Sequence, residues 1–359
     1  MAWASRMAKE PVPRVRRKAK KADSALQIAP FLNTLHVGNS AEVMKGLPTG
    51  SVDLIITSPP YWGAVEYDDQ PVGWPTYELY LDEMMQVWRE CARVLRPNGK
   101  LCINAPVMPI PKKLIEQHTR HLKNIAFDTE SRILEETDLS RYAVFVWQKQ
   151  TSKMMFGSYP YPGNIIENNT IEFINVYVKP GKPPKFDAEL KEANRLSRSE
   201  WIDLCQQVWF MYPEDVKRGG DHPAPFPEKL PARLMRLYSY GAHGPFAGEV
   251  VLDPFVGTGT TCAVAKSMGR QYIGVDVSAK YVEMAEQRVR DASLSPPRLM
   301  VGRAKYPTKG ELMALAVDEA KSTGKKAEGK HKRKTYGRAV PPKDQAQLTL
   351  VWQNPGDKA

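Results

Sequence analysis

The sequence predicts one doubly wound α/β sheet of about seven mostly parallel strands. Three observations carry this reading. Short β-branched runs such as VDLIIT (Val52 to Thr57) recur along the chain, as strands buried on both faces do. Stretches of helical periodicity separate most of them. The order strand, helix, strand occurs twice, and that order is the unit of a parallel sheet.

The elements follow in chain order. Residues 1–25 read as a basic, disordered arm. FLNTLHVG (Phe31 to Gly38) reads as a strand ending in a turn, and VDLIIT as a buried strand. From Tyr77 to Leu95, the residues Leu81, Met84, Met85, Trp88, Cys91, Ala92 and Leu95 recur at helical spacing. Arg96-Pro97-Asn98-Gly99 ends that helix, and KLCIN (Lys100 to Asn104) begins the next strand. A helix is predicted over Leu114 to Phe127, then strands over Tyr142 to Gln148 and Thr170 to Val178. The loop between those strands carries Tyr159 and Tyr161. Lys179 to Lys185 is a linker, and residues 186–221 read as polar and helical, with Trp201 and Trp209 as anchors. A helix is expected after Pro231, since proline suits a first helical turn. Glu249 to Phe255 (strand), Thr260 to Met268 (helix) and Tyr272 to Val277 (strand) complete the second unit, and Tyr281 to Ala292 is a further helix. Order is expected to fade beyond about residue 304, with QLTLVW (Gln347 to Trp352) as a short strand that could still dock. The division this gives is an arm over 1–25, one domain split between 26–180 and 222–303, a small inserted region over 181–221, and a flexible basic tail over 304–359.

Composition bounds the function. The chain has 359 residues, 42% of them hydrophobic, which suits a globular core. It contains no apolar run of about 18 residues, so no membrane span is expected. Four scattered cysteines without a CxxC pair argue against a disulfide framework or a thiolate zinc site, and the chain reads as reduced and cytoplasmic. No His/Asp/Glu cluster has metal spacing, so no metal is expected. The net charge of +11 is concentrated in two runs, Arg14 to Lys21 and Lys321 to Lys343. Each could be a solubilising tail; two of them around one core favour a polyanion partner.

Two turns carry chemistry. VLDPFVGTGTT (Val251 to Thr261) follows a strand and opens a helix. Gly257 and Gly259 let backbone approach a ligand, and the helix offers free N–H groups at Thr260 and beyond. Asp276 closes the next strand, roughly 20 residues on, where an acid holds a ribose diol. The third glycine of a dinucleotide fingerprint is absent, and no GK[ST] ends the turn, so a P-loop is excluded. Asp253 before the turn suits a cationic adenosine ligand, S-adenosyl-L-methionine, better than a pyrophosphate. The other turn is IITSPPYW (Ile55 to Trp62), which holds two aromatics on a proline stalk at the end of a strand.

TSPPYW followed much later by DPFVGTGTT resembles the circularly permuted β group of DNA amino-methyltransferases, in particular those specific for cytosine N4, over about Leu35 to Arg290. The resemblance implies the Rossmann-like methyltransferase fold and S-adenosyl-L-methionine as cofactor. It implies that Ser58, Pro59, Pro60 and Tyr61 are the catalytic tetrapeptide. Phe255, Gly257 and Gly259 then match the cofactor turn, Asp276 the ribose acid, and Phe226 the cover over the methionine end. Asn39, in HVGNS, stands where the family often places an acid. Trp147 and Lys149 match a pattern near the base pocket. Trp62 is read as a wall or a base-stacking partner, and His222 as a loop hydrogen-bonder.

An exocyclic amine is a poor nucleophile, because its lone pair is delocalised into the ring. Ser58 Oγ and the Pro59 carbonyl would each accept one amine hydrogen and free that lone pair. The base must be flipped out of the duplex, and stacking on Tyr61, worth roughly 1–3 kcal/mol, would offset part of that cost. In the family this chain resembles, serine at the head of the tetrapeptide leans toward cytosine N4; adenine N6, an RNA substrate, and a non-catalytic binding module are the alternatives. Cytosine C5 chemistry needs a Pro-Cys turn, and the chain has none. Double-stranded DNA is the implied partner, with Lys153, Lys182, Lys185, Arg195 and Arg198 as phosphate candidates. A homodimer and a cognate restriction endonuclease are further partners that the resemblance admits.

Overall fold

The computed structural model describes residues 26–63, 74–109, 122–149, 161–163, 170–211 and 226–293. Its centre is one sheet of eight strands in the order β1-β10-β9-β2-β3-β7-β6-β8. These are β1 (Thr34–Val37), β2 (Val52–Thr57), β3 (Leu95–Ala105), β6 (Ser140–Gln148), β7 (Ile171–Val178), β8 (Val208–Phe210), β9 (Val250–Asp253) and β10 (Gln271–Asp276). A two-residue pair, β4 (Met108–Pro109) with β5 (Leu122–Lys123), stands apart. In the main sheet β7 alone runs against its neighbours; every other pairing is parallel.

Sequence chemistry explains the centre of the sheet. In β2 only Asp53 is not fully buried, as expected for a strand covered on both faces. The helix α2 (Tyr77–Val94) starts where the Thr76 side chain accepts from Leu79 N–H. It buries Tyr80, Leu81, Met84, Met85, Trp88 and Cys91 against one face of the sheet. On the other face α6 (Lys229–Tyr238) and α7 (Thr260–Ser267) cover Leu54, Ile56, Ile174 and Val176. The remaining helices are α1 (Ser40–Met44), α3 (Ile125–Glu136), α4 (Ala188–Ala193), α5 (Arg198–Leu204) and α8 (Ala279–Asp291). No helix among the described residues is long and apolar enough to cross a membrane.

Several expectations are corrected. Of the helix expected over Leu114 to Phe127, residues 114–121 lie outside the described residues, Leu122–Lys123 form β5, and α3 begins only at Ile125, capped by Asn124. The strand expected at Lys100 begins at Leu95, because Arg96-Pro97-Asn98-Gly99 forms a bulge within β3 instead of a separate turn. Asn98 takes a positive φ of 66° there. The helix expected after Pro231 begins two residues earlier, at Lys229. Residues 186–211 are not wholly helical: Val208–Phe210 form an eighth strand, and Trp209 is fully buried in it, stacked on Phe145 at 4.4 Å. Trp201 is 61% exposed. Residues 208–210 thus belong to the main sheet. Arm, tail and QLTLVW lie outside the described residues.

One junction fixes where a ligand can sit. From β2 the chain winds to β3; from β9 it winds the other way, to β10. β2 and β9 are neighbours, with Leu54 opposite Val251 and Ile55 opposite Leu252. The order therefore reverses between them, and a crevice opens at their carboxyl ends.

Candidate functional site

Both turns singled out in the sequence stand at that crevice. β2 ends on Thr57 and delivers Ser58; β9 ends on Asp253 and delivers the glycine turn. Thr57 Oγ1 donates to Asp253 Oδ1 at 2.6 Å, a buried bond across 196 residues of sequence. Phe255 N–H donates to the same carboxylate oxygen at 3.1 Å. One side chain thus fixes the two turns relative to each other. Asp253 is 1% exposed, and no Lys or Arg among the described residues forms an ion pair with it. Burial pushes its carboxyl up to about 6, against the pull of its hydroxyl and N–H donors.

On the cofactor side, Gly259 caps α7 with φ 84°, and Gly257 has φ 48°. A Cβ on Gly259 would lie 2.8 Å from Ala285 Cα in α8, so both conformation and helix packing demand glycine there. No side chain caps the start of α7, which leaves its first-turn N–H groups to a ligand. Asp276, at the end of β10, accepts from Gly257 N–H at 2.9 Å and Ser278 N–H at 3.0 Å. It stays partly exposed, with lone pairs left for a diol, and burial raises its carboxyl above the usual range. Two desolvated carboxylates beside open backbone donors fit a ligand that carries a ribose, a carboxylate and positive charge; S-adenosyl-L-methionine has all three.

The base side is a connected polar web. Ser58 Oγ lies 3.0 Å from the Asn104 carbonyl, to which it can donate, and 2.7 Å from Tyr61 Oη. Tyr61 Oη donates to Glu172 Oε2 at 3.1 Å. Asn104 Nδ2 donates to the same oxygen at 2.6 Å, and Lys149 Nζ pairs with Glu172 Oε1 at 3.0 Å. Topology puts Glu172 there. Because β7 is antiparallel, its first residues lie beside the last of β3, with Phe173 opposite Ala105. Lys149 follows the last residue of β6, at the same edge.

The other expected site residues divide. Trp62 is 8% exposed; its Nε1–H donates to the Trp74 carbonyl at 3.2 Å and its ring meets Tyr77 edge-on at 5.3 Å. Phe255 packs edge-on to Trp88, and Phe226 packs beside the core on the α6 face. The Thr260 hydroxyl accepts from Arg288 Nη1 at 2.8 Å, which ties it to α8. Asn39 lies after β1, beside β10, but its side-chain oxygen caps α1 by accepting from Ala41 and Glu42 N–H. Arg195 and Arg198 are at the opposite edge. The Arg195 carbonyl accepts from Arg236 near the end of α6, and Asn194 Nδ2 donates to the Gly241 carbonyl just beyond it. Lys149, expected on DNA, is held by Glu172, while Lys153 and His222 lie outside the described residues.

Sequence reasoning missed Asn104 and Glu172. The one available signal was polarity: each is a polar residue within a mostly apolar strand, KLCIN or TIEFINVYV. Both are nearly buried, Asn104 at 2% and Glu172 at 8%.

The chain is similar to known proteins. The family model N6_N4_Mtase, described as DNA methylase, matches residues 52–287. The Type II methyltransferase M.MjaI of Methanocaldococcus jannaschii is 28% identical over 289 residues, covering 69% of this chain and 88% of that protein. The DNA adenine methyltransferase YhdJ of Escherichia coli is 29% identical over 277 residues, covering 72% and 83%. The structure of TTHA0409 from Thermus thermophilus, described as a DNA modification methylase complexed with S-adenosyl-L-methionine, aligns with a TM-score of 0.58 and 32% identity, covering 72% of this chain and 94% of that one.

Proposed function

The chain belongs to the N6/N4 DNA methylase family, and from that premise we propose that it methylates cytosine N4 in a base flipped out of duplex DNA. The Thr57–Asp253 bond carries the reading, because it sets the amine-holding turn beside the cofactor turn. The protein is an S-adenosyl-L-methionine-dependent DNA methyltransferase. When bound, the cofactor supplies an electrophilic methyl group.

The chain's own residues do the positioning. Asp276 and the open turn of α7 would hold the cofactor's ribose and carboxylate, and the uncompensated charge of Asp253 favours a cation nearby. Ser58 Oγ and the Pro59 carbonyl would accept the two amine hydrogens. The Tyr61 ring would stack on the base, with its hydroxyl anchored on Glu172. Orientation of this kind supplies most of the rate for a reaction that needs little else.

Serine at position 58 supports cytosine. Adenine N6 is the second reading, favoured by the likeness to YhdJ, since both bases present the same amine beside a ring acceptor. Incubation of unmethylated plasmid DNA with the protein and labelled cofactor, followed by nucleoside mass spectrometry, tests this. N4-methylcytosine is expected. N6-methyladenine alone overturns the cytosine assignment, and transfer to RNA but not to duplex DNA overturns the DNA substrate. A restriction endonuclease partner accords with the Type II relatives.

A further inference from the structure

Methylation of a neutral amine leaves a proton to be removed. The amine nitrogen forms the N–CH3 bond with its lone pair, the S–CH3 electron pair stays on sulfur, and the nitrogen becomes cationic until one N–H proton departs. Ser58 and the Pro59 carbonyl can hold that amine, but neither is by itself a place for the proton to go.

The hydrogen-bond directions around Ser58 supply one. Tyr61 has one hydroxyl proton, and it points to Glu172 Oε2 at 3.1 Å. The Tyr61 oxygen accepts from Asn104 Nδ2 at 3.3 Å. The 2.7 Å contact between Ser58 Oγ and Tyr61 Oη then needs the Ser58 proton. In this polarity Ser58 O–H donates to Tyr61, Tyr61 O–H donates to the carboxylate, and both lone pairs of Ser58 Oγ are open to an amine hydrogen. A carboxylate at the end of the chain favours that direction, because hydrogen bonds to an ionised acceptor are the stronger ones. Asn104 Nδ2 at 2.6 Å and Lys149 Nζ at 3.0 Å hold the two oxygens of Glu172 in place. The alternative acceptor for Ser58, the Asn104 carbonyl at 3.0 Å, lets the serine proton swing away and return.

We propose that Ser58, Tyr61 and Glu172 form the exit path for the amine proton, with Glu172 as its terminal acceptor. The amine proton passes to Ser58 Oγ as the serine proton moves to Tyr61 Oη and the tyrosine proton moves to Glu172 Oε2. Three O–H or N–H bonds break, three O–H bonds form, and Glu172 ends neutral. It then gives its proton to water at the crevice mouth, where Lys149 is partly exposed. Tyr61 therefore has two parts to play: its ring holds the base and its hydroxyl carries charge. Glu172 acts through Tyr61 and is a positioning residue in this scheme. Among the described residues, the titratable groups bonded to it are Lys149 from the end of β6 and Tyr61 from the turn after β2, with neutral Asn104 from β3.

The inference rests on the methyltransferase reading, and the test separates the two. The substrate is a duplex bearing the site found by sequencing the methylated product, with 2-aminopurine at the target position to report flipping in cofactor-free protein. Single-turnover methyl transfer is followed from pH 5 to pH 9 on the unlabelled duplex. Tyr61→Phe and Glu172→Gln are expected to flip the base within about twofold of wild type and to transfer methyl at least tenfold more slowly at neutral pH. The pH dependence of transfer in Glu172→Gln should differ from that of the wild type. Wild-type rates and an unchanged profile in Tyr61→Phe overturn the path while leaving the methyltransferase reading intact. Lost flipping in both variants also overturns it, since Glu172 then only shapes the pocket. A wild-type protein that transfers no methyl overturns the function itself, and the path with it.

Discussion

An acid stands at each end of β9, Glu249 just before it and Asp253 as its last residue, and the two are treated differently. At its amino end Glu249 is 8% exposed, and burial together with nearby Asp53 pushes its carboxyl up to about 7. It is answered by a cation: Arg96 bonds to Glu249 and reaches Asp53 at 2.5 Å, clasping β2, β3 and β9 together. At the carboxyl end Asp253 is 1% exposed and meets only hydroxyls and N–H groups among the described residues. Burial of a carboxylate does not by itself mark function, because structural ion networks bury acids too. What distinguishes Asp253 is that hydroxyls and amides, not a cation, face it at the one edge where the strand order reverses. The amino end is built for stability, and the carboxyl end keeps negative charge in reserve for a ligand.

Removing each acid should expose that difference. Asp253→Ala releases both Thr57 and Phe255 and lets the two turns drift apart. A misplacement near 1 Å costs about 10²-fold in rate, so a loss of that order in single-turnover transfer is expected. Thr57→Val, which keeps the shape and loses the bond, should reproduce part of it. Glu249→Ala should instead cost about 2 kcal/mol of stability in chemical denaturation, less than a fully broken buried pair because Asp53 still answers Arg96. Its turnover number should equal that of the wild type. A Glu249 variant impaired in turnover but not in stability would erase the contrast between the two ends.

What the sequence showed of this site was its local part. VDLIIT, SPPYW and DPFVGTGTT announce themselves because β-branched runs, prolines and glycines act on their own backbone. Their adjacency followed from strand order. The web behind Ser58 was not legible, because Glu172 reaches it only through the antiparallel insertion of β7, a long-range pairing that no local pattern encodes. Strand β8 escaped notice because three residues are too few to show a period. Motif position left Trp62 open between wall and stacking partner and put Asn39 beside the cofactor; the contacts to Trp74 and Tyr77, and the cap of α1, are tertiary and local details that motif position does not encode.

Protonation sharpens the comparison further. The Asp253 carboxyl sits near 6 in the folded protein against an ordinary value of 3.8. The folded state therefore binds the proton more tightly than the unfolded chain, and stability declines as pH rises from about 4 through 6. Above that window the buried charge is a standing cost. Asp253→Asn can still accept from Thr57 and Phe255 while removing the charge. It should stabilise the ligand-free protein by about 1–2 kcal/mol at pH 8 and by little at pH 4, since a pKa unit is worth about 1.4 kcal/mol. The same variant should bind S-adenosyl-L-methionine more weakly, as read by calorimetry. Unchanged affinity would mean that Asp253 serves only as a tether.

The smallest effect belongs to the far edge of the sheet. Arg195 and Arg198 carry two exposed positive charges, and composition alone would put them on phosphate. Arg195 instead pairs with Glu192 at 3.0 Å, and its carbonyl is fastened to Arg236 at the end of α6, away from the crevice. A duplex whose flipped base enters between the ends of β2 and β9 meets the other edge of the sheet. Each cation withdrawn from a phosphate lowers the salt dependence of binding by roughly one, so two arginines seated on phosphates would flatten the slope by about two when removed. The double variant Arg195→Ala, Arg198→Ala is expected to leave both slope and affinity within error of wild type. A slope flattened by two would show that DNA wraps from one edge of the sheet to the other, and the division of labour along β9 would have to be abandoned.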